Sequence, residues 1–80
     1  MVLAPAFDQP STWDQMNAAM RHRHANNPER LGQAYFNALV LAWPEVAELV
    51  RDTSADPFYA DDFKDPRMRA FFDAIGPYFI

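Results

Sequence analysis

The chain has 80 residues, half of them apolar, with seven Phe, three Tyr, two Trp, no Cys and a formal net charge of −4. Its length allows one small domain, and a chain this short buries only about 60–65% of the surface it exposes when unfolded, so dense aromatic packing must compensate. The missing cysteine rules out disulfides and thiolate zinc sites, and the acidic balance disfavours nucleic acid as a ligand.

Residues 1–11, with Pro5 and Pro10, read as an extended arm, and residues 12–80 as one helical domain. The opening "MVLAPAFDQP" lacks a basic stretch before its apolar patch, so it does not resemble a signal peptide, and no apolar run approaches the roughly 18 residues of a membrane span. The expected compartment is therefore cytoplasmic.

A first helix is expected from about Thr12 to Ala25. Thr12 with Gln15, or Ser11 with Asp14, fits a capping box, and Trp13, Met16, Met20 and His24 share one face. A second helix is expected over 28–42, with Asn27 as N-cap and Pro28 at the first position. Its apolar arc includes Leu31, Tyr35, Phe36, Leu39 and Leu41 and covers more than half the circumference, the mark of a central helix. Gly32 lies in that arc and predicts close approach of a neighbouring backbone. Trp43-Pro44 breaks the chain before a third helix, Pro44 to about Thr53, with Val46, Leu49, Val50 and Thr53 facing inward. A fourth runs from Pro66 to Ile75, stopped by Gly76-Pro77, and the apolar tail "PYFI" is expected to fold back onto the core. No stretch alternates with period two. The expected fold is all-α: a compact bundle of about four short helices with an extended N-terminal arm.

The stretch "DPFYADDFKDP" (56–66) concentrates acids and aromatic rings. A calcium loop needs oxygen ligands at alternating positions and a glycine at its turn; this segment lacks both, so no metal site is expected. Asp56-Pro57 and Asp65-Pro66 read as N-caps followed by first-turn prolines. Phe58, Tyr59 and Phe63 are expected to pin the connector to the core. Asp61 and Asp62 then have no structural duty and fall to a partner surface. Residues 45–65 carry seven acids against Arg51 and Lys64, a local charge of −5 that favours basic protein surfaces. Glu48, Tyr59, Asp61 and Asp62 are the candidate partner-binding residues.

The "RHRH" run (21–24) does not make a metal site, because residues two apart on a helix point about 200° from each other. Cations there complement the helix C-terminus. The second and third helices outline a helix-turn-helix, but "PEVAELVRDT" presents three acids where a DNA reader needs cations and amides. DNA binding requires that Arg21, Arg23, Arg67 and Arg69 converge on another face. No nucleophile motif or phosphate loop is present, and no cofactor is expected, so the chain reads as a non-enzyme.

The stretches "RLGQAYFNAL" (30–39) and "RDTSADPFY" (51–59), followed by a short Phe-rich helix, resemble a pattern of small uncharacterised proteins of bacteriophage and bacterial genomes. The similarity covers residues 12 to about 75. It carries no catalytic motif and transfers no functional residue. It implies an accessory protein that binds a host protein. Two classes of function follow: an acidic protein-interaction module, with a homo-oligomer as a variant, or a small DNA-binding regulator. A structural subunit of a larger assembly is the bland third.

Overall fold

A computed structural model describes residues 9–80 of the chain, so the arm expected over 1–11 lies mostly outside the described residues. Four α-helices follow in order: α1 Trp13–Asn26, α2 Leu31–Ala42, α3 Pro44–Val50 and α4 Pro66–Ile75, closed by a 3-10 turn over Gly76–Tyr78. The protein is all-α, with no strand among the described residues.

Helix α1 starts where the capping box places it. The Thr12 hydroxyl accepts from the Gln15 N–H at 3.1 Å, and the Gln15 side chain accepts from the Thr12 N–H at 3.3 Å. Two otherwise orphaned backbone donors are thereby satisfied. Met16 and Met20 are fully buried and Trp13 half-buried, while His24, expected on the same face, is exposed. Helix α2 is the centre of the bundle, with Leu31, Ala34, Tyr35, Phe36, Ala38, Leu39 and Ala42 buried. Burying side chains the size of Leu39 and Phe36 stabilises the fold by about 1.5–3 kcal/mol each.

Helix α2 begins at Leu31, three residues after the expected Pro28. Asn27 is spent on closing α1, where its Nδ2 donates to the Arg23 carbonyl at 3.0 Å with an extended backbone. Glu29 turns back to α1 and takes a two-pronged ion pair from Arg23, at 2.9 and 3.1 Å. A helical start at Pro28 would give up both interactions. Leu41 leaves the expected arc and is 67% exposed.

Helix α3 also ends early, at Val50 instead of Thr53. Asp52 has φ 61°, the left-handed conformation that reverses the chain. Its N–H is held by the Asp56 carboxylate at 2.7 Å, and the Thr53 hydroxyl donates to the Val50 carbonyl at 2.7 Å. Thr53 is thus exposed. At about 100° per residue, Val46, Val50 and Ala47 form one buried arc. Leu49 falls on the far side of Val46 from that arc and is 56% exposed, against expectation.

The connector 51–65 carries no α-helix. The Asp56-Pro57 signal caps a turn instead: Asp56 accepts from the Phe58 N–H at 3.0 Å as well as from Asp52. Asp65-Pro66 does cap α4, with the Asp65 carboxylate accepting from the Arg67 N–H at 2.9 Å. Gly76 stays right-handed, with φ −50°, and leads directly into the 3-10 turn, so α4 ends without a left-handed glycine cap. The tail returns to the start of α1. Phe79 packs at 6.1 Å from Trp13, and the Ile80 carbonyl accepts from the Trp13 N–H at 3.0 Å, while Tyr78 and Ile80 stay exposed.

Gly32 is the point where the connector meets the central helix. Its N–H donates to the Ala60 carbonyl at 2.9 Å, and a Cβ placed there would collide with the Pro57 oxygen. Pro57 and Ala60 are buried against this spot. The contact sets the path of residues 57–63, and with it the position of most of the candidate partner-binding side chains.

Candidate functional site

Three of the four candidate partner-binding residues belong to one strip of surface along α2, α3 and the connector. The Arg51 guanidinium pairs with Glu48 at 2.8 Å and lies over the Phe36 ring, 5.1 Å from its centroid. Phe36 meets Phe58 edge-on at 6.2 Å, and Phe58 meets Tyr59 at 5.2 Å. Arg30 lies over the Tyr59 ring at 5.4 Å and reaches Asp61 at 3.5 Å. Glu48 and Asp61 are therefore joined through two arginines with three rings between them. Asp62 follows Asp61 at the edge of the strip. The sequence reading missed Arg30, Arg51 and Phe58; three residues of spacing between Glu48 and Arg51 on a helix was the one available signal.

Tyr59 was expected to pin the connector. It is instead 66% exposed beneath Arg30, as its place among the partner-binding candidates requires. Phe58 takes the pinning role, half-buried on Phe36. Asp61 and Asp62 do have structural duties, contrary to expectation. Asp61 pairs with Arg30, and Asp62 accepts from the Lys64 N–H at 2.9 Å, closing a turn. Exposed pairs of this kind add little stability, at most about 1 kcal/mol, so the acids are not tied up by a deep energy well.

The charge on this face is also smaller than the sequence count. Arg30 and Arg67 come from outside residues 45–65 and pair with Asp61 and Asp65, offsetting two of the five net negative charges. The Arg67 side chain at 2.7 Å, with the Arg67 backbone N–H, lowers the Asp65 carboxyl to about 2. Arg23 similarly lowers Glu29, aided by the Asn37 amide at 2.8 Å. Glu45, Asp52 and Asp62 have no ion-pair partner among the described residues.

Two open grooves flank the bundle. One, of about 640 Å³, lies between α1 and α2 over Ala19, Ala38 and Ala42. Its end is closed by the descending chain, where Gln9 donates to the Ala42 carbonyl at 2.6 Å and the Trp43 indole donates to the Pro10 carbonyl at 2.7 Å. The second, of about 560 Å³, has Trp13, Tyr35, Phe63 and Phe72 as walls, with Arg21 and Arg69 at the rim. Burial raises the Tyr35 hydroxyl above its ordinary value, with the Arg21 charge opposing that shift.

Arg21 and Arg69 thus share one groove, whereas Arg23 and Arg67 are engaged elsewhere, with Glu29 and Asp65. The four arginines do not form one face. Among the described residues, no group of three His, Asp or Glu could hold a metal ion, and no helix is long and apolar enough to cross a membrane. Neither a family profile, a curated protein nor a solved structure matches this chain.

Proposed function

We propose that this chain is a small protein-interaction module that docks a basic surface of a partner protein onto Glu48, Tyr59, Asp61 and Asp62. The observation that carries this reading is the Glu48–Arg51–Phe36–Phe58–Tyr59–Arg30–Asp61 run, in which buried Phe36 links Arg51 to Phe58. It presents an exposed tyrosine held in place by an arginine and bordered by acids. Tyr and Arg are the residue types that dominate binding energy at interfaces, and acidic borders set encounter rate and specificity. The module is not an enzyme. It works in the cytoplasm as an accessory protein of the phage type, binding and modulating a host protein.

The DNA-binding alternative has less support. Helix α3 is seven residues long and turns Glu45 and Glu48 outward, and three of the four arginines needed for phosphate contact are paired with acids. The test is capture from host lysate on the immobilised chain at two salt concentrations, with mass spectrometry. Asp61→Lys/Asp62→Lys and Tyr59→Ala variants run alongside. One protein should be retained by the wild type, retained less at high salt and lost by both variants. Equal retention by the Asp61→Lys/Asp62→Lys variant would overturn the assignment of this face.

A further inference from the structure

The groove walled by Trp13, Tyr35, Phe63 and Phe72 combines aromatic surface with an exposed arginine. Its rings already pack on one another, with Trp13 and Phe72 edge-on at 5.6 Å and Phe63 stacked on Phe72 at 6.4 Å. Phe63 nevertheless remains 60% exposed on the lip. Arg21 is exposed at the rim, and no carboxylate of the described residues lies within ion-pair distance of it. Arg23, Arg30, Arg51, Arg67 and Arg69 each have such a partner. Asp73 also lines the groove but is paired with Arg69 at 3.5 Å, so the groove offers an aromatic wall and, in Arg21, a guanidinium without an acid among the described residues. It fits an acid carried next to an aromatic ring.

That pairing occurs on the same chain, beside the groove. Asp62 directly precedes Phe63, and its carboxylate is held only by the Lys64 N–H at 2.9 Å. Within one chain, Asp62 makes no ion pair with Arg21. Arg21, which lines the same groove as Phe63, and Asp62, which precedes Phe63 in the chain, are opposite charges without an ion-pair partner among the described residues, and together they make a self-complementary surface. A two-fold axis satisfies both at once, because every contact across it is made twice.

We propose that a second copy of this chain docks here, as a two-fold dimer in which Asp62 of each copy pairs with Arg21 of the other and the Phe63 rings are covered between them. This rests on the protein-interaction reading above and names the partner of its Asp62 edge. The dimer covers aromatic surface that a chain of this length has too little core to bury, a common reinforcement of small domains. It also occupies Asp62, so dimerisation and capture of another protein through that residue compete.

The test is sedimentation equilibrium from micromolar to millimolar protein, on the wild type, R21E, D62R and an equimolar mixture of the two variants. Circular dichroism confirms that each is folded. The wild type should give a dimer that weakens with salt. Each variant alone should lose at least tenfold in association, because R21E places two acids, and D62R two cations, at each contact. The mixture should restore the dimer as a heterodimer: the glutamate introduced in one copy then faces the arginine introduced in the other, while Asp62 and Arg21 still meet at the second contact. A wild type that stays monomeric overturns the proposal, whatever lysate capture returns. So does association of R21E or D62R equal to the wild type, or a mixture that stays monomeric. Capture of a host protein by a monomer that depends on Asp61 and Asp62 would overturn the dimer and leave the protein-binding reading standing.

Discussion

Replacing Gly32 by alanine tests the contact on which the connector depends. In a helix interior this change ordinarily gains about 1 kcal/mol, since glycine costs backbone entropy, and at Gly32, the second residue of α2, that figure is the upper limit. Here the sign should reverse. The new methyl would overlap the Pro57 oxygen and sit 2.8 Å from the Pro57 carbonyl carbon and 3.0 Å from the Ala60 Cβ. The first two are backbone atoms and cannot rotate away, so the 57–60 segment must lift. Lifting it stretches the 2.9 Å hydrogen bond from the Gly32 N–H to Ala60 and exposes buried Pro57 and Ala60. A lost hydrogen bond costs about 1 kcal/mol and overpacking about 1–3 kcal/mol, so after the helical gain the net loss is about 1–3 kcal/mol. For a domain of this size that lowers Tm by roughly 4–8 °C per kcal/mol. Gly76→Ala is the control: nothing lies within 4 Å of a Cβ there and φ is −50°, so stability should hold or rise by about 0.4–1 kcal/mol. Urea unfolding of both variants gives the comparison. A Gly32→Ala protein as stable as the wild type would refute the close approach and the connector path built on it.

Asp65 should show a pH signature. Its folded carboxyl lies near 2, below the ordinary 3.8, so the stability it contributes is complete above the ordinary value and is lost as pH falls from about 4 to 2. The difference in unfolding free energy between wild type and Asp65→Asn should therefore be flat above about pH 5 and shrink below pH 4; a constant difference down to pH 2 contradicts the Arg67 pairing. Thr12→Ala removes the hydroxyl that accepts from the Gln15 N–H and should cost about 1 kcal/mol in urea unfolding, with amide exchange rising first in the opening turn of α1. Ser11→Ala, whose hydroxyl lies 3.5 Å from the Gln15 side chain, should have a much smaller effect.

Local signals settled much of this protein. The Thr12–Gln15 box, the Trp43-Pro44 break and the Asp65-Pro66 cap each act within four residues, so their chemistry is complete in the sequence and three helix starts could be read from it. Gly32 was legible for a related reason: a glycine among large apolar residues leaves room that something must fill. Where a local signal had two uses, tertiary structure chose. Asn27-Pro28 could open α2, but closing α1 and freeing Glu29 for Arg23 won. Asp56-Pro57 could open a helix, but holding the Asp52 turn won. Periodicity marked the apolar faces of α2 and α3 but not their edges, because whether Leu41 or Leu49 is covered depends on neighbouring elements. The same limit governs the candidate site. Charge and ring content were visible in 56–66, yet their partners were not. Arg30 is 31 residues from Asp61, and the close approach at Gly32, its hydrogen bond to Ala60 and the Phe36–Phe58 packing bring that part of the chain over α2. Which acids are neutralised, and which cations, Arg21 and Lys64, are left without an acid among the described residues, is a property of the fold.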